Sequence, residues 1–174
     1  ANLRQDFGVF EPLSLGDFVF NDLDNDGAFN NADTKLSGVS VQLLSGNISL
    51  ANTTTDANGN YLFTNLTPGN YTVRITPPAG FASSTGTNGK ATGPNEPGAA
   101  PTANNTDTGT ANGAVIDSSV TLFAPGNAGN PTDGGFSNLF VDFGLFQPLS
   151  LGSLVWIDTN DNGIFDSGET KLPN

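Results

Sequence analysis

The chain has 174 residues, with 5 Lys plus Arg against 17 Asp plus Glu and a net charge of -12. A balance this acidic repels nucleic acid and anionic lipid and favours cations as partners. The lack of Cys and His removes thiol nucleophiles, imidazole acid–base chemistry and Cys/His zinc sites, and with them most enzyme mechanisms, so the chain is read as non-enzymatic.

This length holds one sizeable core with flanking pieces. The 22 Gly and 11 Pro suit many short strands joined by turns and indicate an all-β fold. Scarce Lys, Glu and Arg beside abundant Asn, Thr, Gly and Ser place the chain outside the cell, at the surface or secreted. No apolar run approaches the roughly 20 residues of a membrane span, so no membrane insertion is expected of this segment.

In chain order, Asn2 to Val9 reads as a closing strand. Leu15 to Asn21 follows Pro12 and forms a first strand around Phe18, Val19 and Phe20, released by an EPLS joint. Val39, Val41 and Leu43 alternate with Ser40 and Gln42, as in a half-buried strand. Thr53 to Asp56 leads into Ala57-Asn58-Gly59 and Tyr61 to Leu66 returns, a hairpin signal. After Pro68-Gly69, Tyr71, Val73 and Ile75 alternate up to Pro77-Pro78, where a first sheet is complete. Phe81 to Asn112 is rich in Gly, Pro, Thr and Asn and is expected to be a surface loop without a core. Val115 to Phe123 and Leu139 to Leu145 supply the last strands, about seven in all, which make a β-sandwich.

Two loops carry chemistry. Asp22, Asp24, Asp26, Asn30 and Asp33 occupy positions one, three, five, nine and twelve of a loop with Gly27 at six, the spacing of an EF-hand calcium loop. Ala28 at seven offers a backbone carbonyl. The second loop, Asp158, Asn160, Asn162, Ile164, Asp166 and Glu169, repeats this spacing around Gly163 and ends on the Glu that a bidentate ligand position calls for. Ca²⁺ takes six to eight hard oxygens, and short carboxylates on a tight loop converge on one point. Asp22, Asp24 and Asp26 would repel one another without a cation. The flanking residues read as strands, whereas helices flank a true EF-hand.

The loops belong to a longer self-similarity. DFGVFEPLSLG from Asp6 recurs as DFGLFQPLSLG from Asp142, and the register continues to Lys35-Leu36 beside Lys171-Leu172. The expected organisation is 1–10 closing a preceding repeat, 11–146 a complete repeat, and 147–174 the first strand and calcium loop of the next. A repeat of this size is a domain with its own core.

The segments LGDFVFNDLDNDG, LSGVSVQLL, TTTDANGNYLFTNLTPGNYTVRITPPAGF and VDFGLF make the chain resemble the SdrD B-like repeat family, related to the collagen-binding-adhesin B-type domains of bacterial surface proteins. The resemblance implies a Greek-key, prealbumin-like sandwich in tandem array, with calcium that stiffens each module and its junctions. The expected role is a stalk segment of a surface adhesin or filament, whose partners are neighbouring repeats. A module that binds a host or matrix ligand and an accessory module of a large secreted enzyme are the alternatives. Some related B-type domains carry a Lys–Asn isopeptide bond, but the first strand here has no lysine.

Overall fold

The computed structural model describes residues 9–30, 32–85, 107–125, 132, 135–150, 152 and 154–172. Among the described residues thirteen strands run in chain order: β1 (Leu13–Asn21), β2 (Thr34–Lys35), β3 (Ser40–Ser45), β4 (Ile48–Thr54), β5 (Asn60–Leu66), β6 (Gly69–Thr76), β7 (Ala82–Ser83), β8 (Thr110–Asn112), β9 (Val115–Leu122), β10 (Ser137–Asn138), β11 (Phe143–Phe146), β12 (Trp156–Ile157) and β13 (Thr170–Lys171). Seven of them, β1, β3, β4, β5, β6, β9 and β11, have four residues or more, in line with the sandwich read from the sequence. None of the described residues is helical.

One sheet is built around β1, which pairs antiparallel with β5 and β2 and parallel with β10 and β11; β11 also pairs with β7. The facing sheet has the order β4-β3-β6-β9-β8, antiparallel throughout. The core lies between them. Leu13, Leu15 and Val19 of β1, Tyr61 and Phe63 of β5, and Phe143 and Leu145 of β11 meet Val41, Leu43, Tyr71, Val73, Ile75, Ile116, Val120 and Leu122. Period-2 alternation delivers these side chains to one face of each sheet, where loss of apolar contact with water drives the packing.

β1 is buried on both faces. Phe18 and Phe20 point away from this core, yet they pack edge-on against Phe29 at 5.1 and 5.5 Å between centroids, and Lys35 Nζ caps Phe18 at 3.7 Å. Gly16 lets β5 approach, because a Cβ there would lie 2.3 Å from the Tyr61 carbonyl oxygen.

Three expectations need correction. The first strand begins at Leu13, not Leu15, because Leu13 is fully buried in the core. The EPLS joint therefore ends at Pro12, while Leu149 of QPLS is exposed.

The turn at Ala57-Asn58-Gly59 forms, with Gly59 N–H donating to the Asp56 carbonyl at 3.0 Å, but it does not close a hairpin. β4 pairs with β3 and β5 pairs with β1, so the chain crosses between sheets here and again at Pro68. β5 instead lies beside β1, where Tyr61 and Phe63 fill the opposite layer of the core.

The segment from Phe81 to Asn112 is not all surface. Residues 86–106 lie outside the described residues, but Ser83, Ser84, Thr85, Asp107 and Thr108 are buried, because β7 adds to β11 and Asp107 bridges to Asp142.

Candidate metal centre

The first acidic loop connects β1 to β2 and returns the chain antiparallel, with Asn21 opposite Thr34 and Phe20 opposite Lys35. Both oxygens of Asp22 organise the turn: Oδ1 accepts from Asp26 N–H at 3.1 Å and Oδ2 from Gly27 N–H at 2.8 Å. Asn25 and Gly27 take the left-handed backbone, φ 56° and 80°, which Asn tolerates better than most residues and Gly adopts freely. Asp33 closes the loop, accepting from Leu23 N–H and Asn30 N–H, each at 2.9 Å.

This folding brings three of the six predicted ligands together. Oxygens of Asp22, Asp24 and Asp33 lie within 4.8 Å of one another. Asp22 and Asp33 are buried and Asp24 is exposed. The other three serve the loop itself: Asp26 accepts from Ala28 N–H at 2.8 Å and from Asn30 Nδ2 at 3.2 Å, and the Ala28 carbonyl also accepts from Asn30 Nδ2 at 3.3 Å. Burial pushes the Asp22 carboxyl up, and the Asp33 charge adds to the rise, while hydrogen bonds from Ser84, Gly27 and Asp26 oppose it. Three clustered hard oxygens can hold a metal ion.

Sequence reading missed the second layer. Ser84 Oγ donates to Asp22 Oδ2 and to Asn25 Oδ1 at 3.1 Å. Thr85 N–H donates to Asn25 Oδ1 at 2.7 Å, Asn25 Nδ2 donates to Thr85 Oγ1 at 2.6 Å, and Asp107 N–H donates to the Gly27 carbonyl at 2.8 Å. These residues lie about 60 to 80 positions beyond the loop in a stretch with no periodic pattern, so no local signal marks them.

The second loop reproduces the first at an offset of 136 residues. β12 and β13 pair Trp156 with Lys171 and Ile157 with Thr170. Leu172 N–H donates to the Val155 carbonyl at 2.8 Å, as Leu36 N–H does to Val19. Asp161 has φ 57° and Gly163 73°, and Trp156 meets Phe165 edge-on at 5.9 Å. Asp158 accepts from Asn162 N–H and Gly163 N–H at 3.2 and 2.7 Å. Glu169 accepts from Thr159 N–H and Asp166 N–H at 3.0 and 2.9 Å, in place of Asp33.

Asn160 and Asn162 turn their Nδ2 to Asp166 at 3.0 and 2.7 Å, which holds that carboxyl below its usual range. Backbone donors, Gly163 first, do the same for Asp158. The Ile164 N–H caps Asn162 Oδ1 at 2.7 Å. Among the described residues, only the first loop gathers three acidic groups within ligating distance of one another.

The profile of the SdrD B-like domain family matches residues 13–122. The chain is 34% identical over 176 residues to the serine-aspartate repeat-containing protein D of Staphylococcus aureus, a match that takes in 98% of this chain and 11% of that protein. It is 32% identical to the serine-aspartate repeat-containing protein F of Staphylococcus epidermidis over 98% of this chain and 9% of that protein. Identity with Colossin-A of Dictyostelium discoideum is 35% over 93% of this chain and 1% of the relative. The chain thus spans about a tenth, or far less, of the relatives it matches. Among solved structures, the shaft pilin SpaA of Lactobacillus rhamnosus GG aligns with TM-score 0.41 and 13% identity, covering 81% of this chain and 52% of the pilin.

Proposed function

The chain belongs to the SdrD B-like domain family, and on that premise we propose that it is a non-enzymatic stalk module of an extracellular surface adhesin, stiffened by calcium. The convergence of Asp22, Asp24 and Asp33 carries the calcium part of this reading. Two like charges under 5 Å apart repel by a few kcal/mol at the effective dielectric of about 20 that suits protein sites, and two of these three carboxylates are buried. A divalent cation converts that repulsion into attraction. Ca²⁺ suits hard oxygens on a loop of this size better than Mg²⁺, which demands a smaller octahedral cage.

Asp22 and Asp24 at the start of the loop and Asp33 at its end would hold the cation, which would tie the two ends together. The chain's own residues do the rest. Backbone donors from Leu23, Asp26, Gly27 and Asn30 set the carboxylate directions, and β2 ties the returning chain to β1.

The shared register of β1–β2 and β12–β13 supports reading 11–146 as one bead and the second hairpin as the opening of another, with neighbouring beads as the partners. Filament assembly and recognition of a host or matrix ligand would be uses of the same array.

Asp24 is the ligand to remove, because it is exposed and none of the loop's hydrogen bonds described above uses its side chain. Calorimetric titration of the chelator-treated chain should show millimolar or tighter calcium uptake and a raised Tm, and Asp24→Ala should weaken uptake at the first loop while raising the apo Tm, because one of the three repelling charges is gone. A folded wild-type chain that takes up no heat and shows no shift would sink the calcium reading and leave the stalk role to the sandwich alone.

A further inference from the structure

Asp22, Asn25 and Gly27 hold the chain on both sides of positions 86–106. On the entry side, Ser84 bonds Asp22 and Asn25, and Thr85 exchanges two hydrogen bonds with the Asn25 side chain. On the exit side, Asp107 N–H donates to the carbonyl of Gly27, the same residue whose N–H binds Asp22. Ser84 is also locked from behind, where its N–H donates to the Gly144 carbonyl at 2.9 Å and its side chain is fully buried. Asp22 therefore has one face toward the other carboxylates of its cluster and one toward a rigid hydroxyl delivered from 62 residues away.

We infer that the first acidic loop and the two stems, Ser84–Thr85 and Asp107, form one cation-dependent clamp, in which Ser84 is a positioning residue for Asp22. The inference rests on the cation reading above. A hydroxyl that donates to Asp22 fixes the carboxylate rotamer and stabilises the charged form that a cation requires. Removal of that hydroxyl leaves a buried carboxylate short of one donor. Coupling is reciprocal: if docked stems favour cation binding, cation binding must hold the stems docked by the same factor. The stems are the described residues on either side of positions 86–106, so the clamp would let calcium set how firmly the stems themselves are docked.

The test uses the full chain and follows individual amides by NMR during calcium titration. Gly27, whose N–H donates to Asp22, reports the cation site, Thr85 and Asp107 report the stems, and Leu44 of β3 is a distant reference. Calcium should shift Gly27 and slow hydrogen exchange at Thr85 and Asp107 without slowing Leu44 comparably. Ser84→Ala should raise the calcium midpoint at Gly27 about tenfold, as expected for one charge-assisted hydrogen bond. Asn25→Gly, which keeps the left-handed backbone and loses the side chain, should abolish the exchange protection at Thr85.

If Gly27 does not respond to calcium in the wild-type chain, the cation reading fails and the clamp fails with it. If Gly27 titrates normally, both variants keep the wild-type midpoint and the stem amides ignore calcium, the clamp is overturned while the cation site stands. Should Ser84→Ala not fold, the wild-type exchange data and Asn25→Gly decide the matter.

Discussion

Asp17 lies on β1 opposite Tyr61 of β5, and its carboxyl hydrogen-bonds that of Asp142, which is fully buried. Two carboxyl groups share a hydrogen bond only while one of them carries a proton. Burial, opposed by the Asp142 hydrogen bond and the Lys35 charge, raises Asp17 from 3.8 to about 6. The folded value thus exceeds the unfolded one, so the folded chain retains a proton that the unfolded chain has already lost. The associated stability is full below about pH 4 and is lost as pH rises through about 6.

The rise from 3.8 to about 6 corresponds to at most about 3 kcal/mol. Asp17 is only partly buried, so solvent screening brings the expected figure to ~1–2 kcal/mol. Asp17→Asn keeps a donor toward Asp142 and cannot ionise. It should therefore be more stable than the wild type by ~1–2 kcal/mol at about pH 8, with the two converging toward about pH 4. Urea unfolding across that range, fitted for midpoint and slope, measures the difference. Parallel stability curves for the two proteins would refute the shared proton. Tyr61 does not confound the comparison, because burial, first, and the neighbouring Asp142 and Asp17 charges push its phenol well above the ordinary range, and it stays neutral while donating to the Val141 carbonyl at 2.5 Å.

Gly16→Ala places a methyl 2.3 Å from the Tyr61 carbonyl oxygen, and since that obstacle is backbone in a paired strand, β1 and β5 must separate; a loss of roughly 2–3 kcal/mol is expected in thermal or urea unfolding. Arg74 grips Asp117 with two bonds of 2.7 and 2.8 Å, which lowers the Asp117 carboxyl. That contribution is present above about pH 4 and lost as pH falls through the lowered folded value, so Asp117→Asn should lower the urea midpoint at neutral pH by an amount that shrinks as the solution is acidified below about pH 4.

The class of fold was legible in the chain because β-strands with one buried face leave a period-2 signature, and Val39-Val41-Leu43, Tyr71-Val73-Ile75 and Val115 to Phe123 all kept theirs. The acidic loop was legible because its bonds span about ten residues: Asp22 reaches Gly27, and Asp33 reaches Leu23. A local turn encodes its own geometry, and the second copy repeats it down to the left-handed residue at Asp161.

Sheet membership was decided only in three dimensions. The turn at Asn58-Gly59 forms as its residues dictate, yet the strands it joins enter different sheets, β4 beside β3 and β5 beside β1, where Tyr61 and Phe63 are buried in the core. The buried stems Ser84, Thr85 and Asp107 carry no apolar pattern, since what holds them is hydrogen bonding to Asp22, Asn25 and Gly27. Short-range sequence determines turns, loops and alternating faces because their energies are local. Pairing partners and buried polar contacts arise from competition for sheet edges and donors across the whole fold, and there the tertiary structure alone decided.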